Sequence, residues 1–286
     1  MTRQMFLSRA ARTAMLATTL AAVTAALHDP THAEGKLDAS YTISFARLEV
    51  GDIFVTVVFG DSDYAISARG RAGGVMKALI DGEGSFAARG TLKDGYPLPT
   101  TFTSKIVSSV ETSEVTMVLD EGRVKELTAI PPPNTNAVPV TEANRQGIVD
   151  PLTAMLFSTA VGGESLSQAA CRHTLPIFDG RQRFDLKLGF KRMDKVTAEK
   201  GYAGPVVVCS VTYEPIAGHR SSAALVKYLS EGREMEMALA PIAGTRFLVP
   251  FRVSAVSMIA NLVIVANRFE ITAQAGASTL SDPKPE

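Results

Sequence analysis

The feature that most constrains this chain is an alternation of apolar and polar residues that recurs from Ser40 almost to its end, each stretch closed by a turn-forming cluster. Tyr41, Ile43 and Phe45 point one way and Thr42, Ser44 and Ala46 the other, the period-two signature of a strand with one face buried. A second strand is expected over 53–59, a turn at Gly60-Asp61-Ser62-Asp63, and a returning strand over 64–68, together an antiparallel meander. Further strands are expected over 85–92, 99–110, 114–120, 124–129, 174–178, 184–192, 206–213, 233–239, 246–256 and 261–272. Turns at Lys93-Asp94-Gly95 and Asp120-Glu121-Gly122 carry residues that tolerate positive φ, as hairpins require.

Helical signals are sparse. A short helix is expected over 75–80, where Met76, Leu79 and Ile80 are helically spaced, with Gly82-Glu83-Gly84 as a turn after it. The strongest helix signal follows Asp150-Pro151, which supplies a cap and a first-turn proline; Leu152, Met155, Leu156 and Thr159 recur at i, i+3, i+4 and i+7, and Gly162-Gly163 would stop it. A helical turn over 223–229 places Leu225, Tyr228 and Leu229 on one face. Pro131-Pro132-Pro133 opens a long connection over 131–149 that cannot continue a ladder. Many strands with two or three short helices predict a mainly β fold. The expected form is a curved antiparallel sheet, an open barrel or β-spiral, with a helix filling the opening.

The ends address the chain. Arg3, Arg9 and Arg12 precede an uncharged run over 13–27, followed by small residues up to Thr31-His32-Ala33, the layout of a cleaved signal peptide spanning 1–33. The apolar run is shorter than the roughly twenty residues that cross a bilayer, so no transmembrane anchor is expected after cleavage. No cysteine follows it to accept a lipid, and two alanines separate Arg9 from Arg12, so the general secretory route is expected. Losing residues 1–33 leaves 26 basic and 28 acidic residues, a net charge near −2 that gives no footing to nucleic acid. Residues 34–273 are expected to form one β-rich domain, and the polar, proline-bearing 274–286 a disordered tail.

The only cysteines are Cys171 and Cys209. In an oxidising compartment an isolated pair reads as a disulfide. The competing readings are a catalytic thiol, or half a zinc site with His173 and His219, whose spacing departs from the usual metal pairs. Other catalytic signals are weak. Gly163-Glu164-Ser165-Leu166-Ser167 lacks the last glycine of a nucleophile elbow, and Gly82-Glu83-Gly84 lacks the strand-to-helix context of a phosphate loop. No cofactor is implied. Asp179, Arg181, Arg183 and Asp185 alternate before and within a predicted strand, which would put them on one sheet face as an anion-binding set; an internally paired ladder is the plainer reading.

Three stretches together resemble the DUF3108 family of uncharacterised proteins from Gram-negative envelopes. They are Asp150-Pro151-Leu152-Thr153-Ala154-Met155-Leu156, Cys171 with His173 through Leu186, and Cys209 through His219. The resemblance implies a periplasmic location, a β-rich fold and pairing of the two cysteines flanking Asp179-Gly180-Arg181. The expected role is non-enzymatic support of the cell envelope, by binding a hydrophobic or lipid-linked ligand or an envelope protein. The alternatives are an interaction module without a cavity, or a hydrolase of cell-wall or lipid substrates.

Overall fold

A computed structural model describes residues 34–73, 82–159, 166–231, 235–256 and 260–274. The expected signal peptide, the helix over 75–80, the Gly162-Gly163 stop and nearly all of the tail lie outside them. The first seven strands form a continuous meander: β1 (Glu34–Phe45), β2 (Leu48–Phe59), β3 (Asp63–Ala72), β4 (Gly82–Lys93), β5 (Tyr96–Ser108), β6 (Thr112–Asp120) and β7 (Arg123–Ile130). After the long connection come β8 (Phe157–Ser158), β9 (Thr174–Phe178), β10 (Arg183–Thr197), β11 (Lys200–Gly201) and β12 (Ala203–Ala217). One helix, α1 (Ala224–Ser230), then precedes β13 (Met235–Pro241), β14 (Phe247–Val256) and β15 (Asn261–Gln274).

All fifteen strands belong to one sheet, ordered β7-β6-β5-β4-β3-β2-β1-β15-β14-β13-β12-β10-β9, with β8 on β14 and β11 on β15. Every pairing along that path is antiparallel; β11 alone runs parallel to its partner. The hydrogen-bonded path does not close, since β7 and β9 stand at its two ends.

Register explains the core. One row of directly opposed residues runs Leu37, Val57, Ile66, Ala88, Phe102, Met117 and Leu127 across β1 to β7, and all but Leu127 are buried. A one-residue slip would turn that whole row to water, so burial fixes the pairing. The hairpins hold it through paired positive φ angles: 52° and 76° at Asp94 and Gly95, 46° and 74° at Glu121 and Gly122. Both match the right-handed strand twist. The β1–β2 turn does the same at Ala46 and Arg47, with φ of 52° and 67°, without a glycine or asparagine to announce it.

On β12, Val206, Val207, Val208 and Cys209 are consecutively buried, so this strand is covered on both faces. Val206 and Val208 join the main core; Val207 and Cys209 join a second, smaller core with Phe157, Leu188, Leu239 and Leu248.

Two expectations about helices are corrected. Among the described residues there is one α-helix, with short 3-10 turns at Glu142–Arg145, Thr153–Met155 and Gln168–Cys171, rather than two or three helices. The helix expected from Asp150 stops after one 3-10 turn. Leu156 turns extended, and Phe157–Ser158 pairs with Leu248 and Phe247 of β14. Leu152, Thr153, Ala154, Leu156, Phe157, Ser158 and Thr159 are all buried, so the helix-like spacing comes from a segment enclosed on every side. What fills the opening between the sheet ends is this irregular segment, with Ile148, Leu152 and Leu156 in the main core.

Candidate functional site

Two of the family-like stretches, the one that opens at Asp150 and the one that contains Asp179-Gly180-Arg181, meet at the seam between the two sheet ends. Val149 lies beside β9, donating its N–H to the Pro176 carbonyl at 2.9 Å and accepting from Phe178 N–H at 3.0 Å. Its neighbour Ile148 donates to the Gly122 carbonyl, at the turn into β7, at 3.0 Å. The segment before Asp150 is thus hydrogen-bonded to both ends of the path. At the other end of the seam the β9–β10 turn docks onto β6 and β7. Arg181 Nη1 donates to the Pro131 carbonyl at 2.6 Å and Nη2 to Ser113 Oγ at 3.3 Å. Gly180, at φ 91°, lies against Val115 and Leu127.

The four residues expected on one sheet face are therefore divided. Because β10 begins at Arg183, only Arg183 and Asp185 share a strand face, as an ion pair of 2.6 Å. Asp179 turns back on its own loop, its Oδ1 accepting from the N–H groups of Arg181 at 2.7 Å and Gln182 at 2.6 Å. Burial pushes the Asp179 carboxyl above the usual aspartate range, against those two hydrogen bonds. All four side chains have partners inside the protein.

Cys171 and Cys209 form a disulfide, with Cα atoms 5.4 Å apart. It fastens the 3-10 turn Gln168–Cys171 to β12 over the smaller core, where both cysteines are fully buried. The thiol and zinc readings end there, and among the described residues no group of three or more metal-binding side chains gathers. His173 stands edge-on to Phe157, with ring centres 6.0 Å apart, and burial lowers its pKa. His219 has a buried Nδ1 with no partner among the described residues.

Asp150 caps its turn as the sequence predicts, with Oδ1 accepting from the N–H groups of Leu152 at 2.9 Å and Thr153 at 3.0 Å. It is wholly buried, its Oδ2 has no partner among the described residues, and burial raises its pKa above the ordinary 3.8. Thr153 in turn hydrogen-bonds Tyr64 at 2.7 Å, tying the turn to β3.

The sign of the pH effect follows. A carboxyl whose folded pKa is raised gives its full support below its unfolded pKa, and that support is lost as pH rises through the folded value. Asparagine preserves the cap and does not titrate. The stability of Asp150→Asn relative to the parent should therefore climb from pH 4 upward, whereas Asp150→Ala should cost about 1–2 kcal/mol through the lost cap. Urea titrations at several pH values measure both, and parallel curves for Asn and parent would refute the burial argument.

Glycines on the core face of the meander leave a hollow. In the row Ile53, Gly70, Gly84 and Ile106, two central positions lack side chains. The adjoining row opposes Ile43, Gly51 and Ala72. The result is an apolar cavity of about 500 Å³, walled by Ile43, Ile53, Phe86, Ile106, Leu152 and Met155. Ile106, 46% exposed, stands at its mouth. Gly82 and Gly84 lie within β4, so the turn expected there is corrected to strand. The glycines at i and i+2 on β4, opposite glycine on β3, were the sequence signal of a missing wall, legible only once register is known.

A family model described as a protein of unknown function, DUF3108, matches residues 40–265. No curated protein matches the chain. Among solved structures, a beta-barrel-like protein of a domain of unknown function, DUF1849, from Brucella abortus aligns at 9% identity with a TM-score of 0.45, over 84% of this chain and 98% of its own.

Proposed function

Because this chain belongs to the DUF3108 family, whose function is unknown, we propose its role from its own geometry: a non-enzymatic envelope protein that holds a hydrophobic or lipid-linked ligand in the glycine-walled hollow. The observation that carries this reading is the row Ile53, Gly70, Gly84 and Ile106, which opens an apolar cavity on the core face of the meander. Burying apolar surface there yields roughly 25 cal/mol per Å², enough for an acyl chain to bind without a polar anchor. The proposed compartment is the periplasm. In support, the disulfide suits an oxidising compartment. Among the described residues no helix is long and apolar enough to cross a membrane.

Gly70 supplies the test. Its φ is not in the left-handed region, and a Cβ there would have no neighbour nearer than 3.7 Å, so a larger side chain enters the hollow without backbone strain. Native mass spectrometry and lipid extraction of protein purified from periplasm should find a bound lipid in the parent and none in Gly70→Leu, with the thermal midpoint retained. A lipid-free parent, or lipid kept by Gly70→Leu, would overturn the proposal.

A further inference from the structure

The opposite face of the same meander carries a second, chemically different hollow. One row across five strands runs Phe54, Arg69, Ser85, Lys105 and Glu114; the next runs Thr56, Ser67, Ala87, Thr103 and Thr116. Between them lies a groove of about 570 Å³. Phe54, Arg69, Ser85 and Lys105 also line an adjoining hollow of about 470 Å³ that reaches Arg71 and Glu83. With strands about 4.8 Å apart, Phe54 and Lys105 stand three spacings apart, roughly 14 Å, a length suited to a short chain of rings.

The groove's chemistry is specific. Thr56, Ser67, Ser85, Thr103 and Thr116 line it with hydroxyls, each able to donate and accept. Phe54 is 46% exposed, and the Arg71 guanidinium sits 5.5 Å from its ring centre, so an aromatic face is held at one end. Lys105 is paired with Glu114 at 2.7 Å and Arg71 with Asp52 at 3.5 Å. Arg69, between them, has no ion-pair or hydrogen-bond partner among the described residues, which leaves one uncompensated guanidinium at the centre.

We propose that this groove binds an acidic oligosaccharide, its carboxylate on Arg69, its hydroxyls on Ser67, Ser85 and Thr103, and a ring face on Phe54. A guanidinium accepts a carboxylate bidentately, whereas the paired lysine and arginine give no second anion site. The groove and the apolar hollow lie on opposite faces of the sheet, so the inference does not rest on the proposed function.

The probe is trigalacturonic acid, compared with its methyl ester, with maltotriose and with inorganic phosphate, by NMR titration of the whole mature protein. Trigalacturonate should shift the amides of β2–β5, at least tenfold more tightly than the ester or maltotriose. Arg69→Gln and Phe54→Ala should each weaken it at least fivefold. No shift at millimolar trigalacturonate would overturn the proposal, as would equal binding of the ester or unchanged affinity in Arg69→Gln. Phosphate binding as tightly as the sugar would also overturn it, leaving a simple anion site.

Discussion

Replacing both Cys171 and Cys209 by alanine should lower the unfolding free energy by about 4 kcal/mol. The two lie 38 residues apart, and in the chain-entropy model a loop of that size restrains the unfolded chain by about that amount. The native side adds to it. Both cysteines are fully buried in the smaller core, so the loss of their sulfurs also leaves a void there. Guanidinium unfolding of the oxidised parent and the double variant measures the difference. The seven-strand meander, which lacks the bridge, should keep its slow-exchanging amides in the variant. A loss below about 1 kcal/mol would mean that the Gln168–Cys171 turn is held on β12 by packing alone.

Strand content was legible because burial on one face writes itself as alternation, and all thirteen expected strands are present with at most their ends adjusted. Where both faces are buried the signal changes. Val206 to Cys209 read as a continuous apolar run, which still named a strand but not the second core behind it. The segment after Asp150 failed for the related reason that enclosure on all sides gives any period one wishes to find. Its cap was nonetheless correct, since Asp150 serves a 3-10 turn with the same hydrogen bonds as a helix. The strands β8 and β11, two residues each, are too short for any pattern. The hollow and the groove are products of register: Ile53 and Ile106, or Phe54 and Lys105, lie more than fifty residues apart, and only pairing places them in one row. Asp179 and Arg181 announce their turn by charge, but its place in the fold depends on Gly180, which carries none.

Gly180→Ala should destabilise the protein by about 3 kcal/mol, although it adds a single methyl group. Gly180 sits at φ 91°, where an L side chain costs about 1–2 kcal/mol, and its new Cβ would fall inside the van der Waals envelope of Val115 Cγ1 and within 3.3 Å of Leu127 Cδ1. Both neighbours belong to the meander, so relieving the contact means withdrawing the turn from the sheet end, and forced overpacking of this kind costs a further 1–3 kcal/mol or so. Gly147 separates the two contributions. It too has positive φ, at 62°, but nothing lies within 4 Å of its would-be Cβ, so Gly147→Ala should cost only about 1 kcal/mol. Urea unfolding of both variants gives the comparison, and hydrogen exchange locates it. In Gly180→Ala the amides of Ile148, Val149 and Phe178 should lose protection before those of β1–β4. Equal costs for the two alanines would mean that the Gly180 turn does not press on Val115, and that the seam is held through Val149 and Arg181 without it.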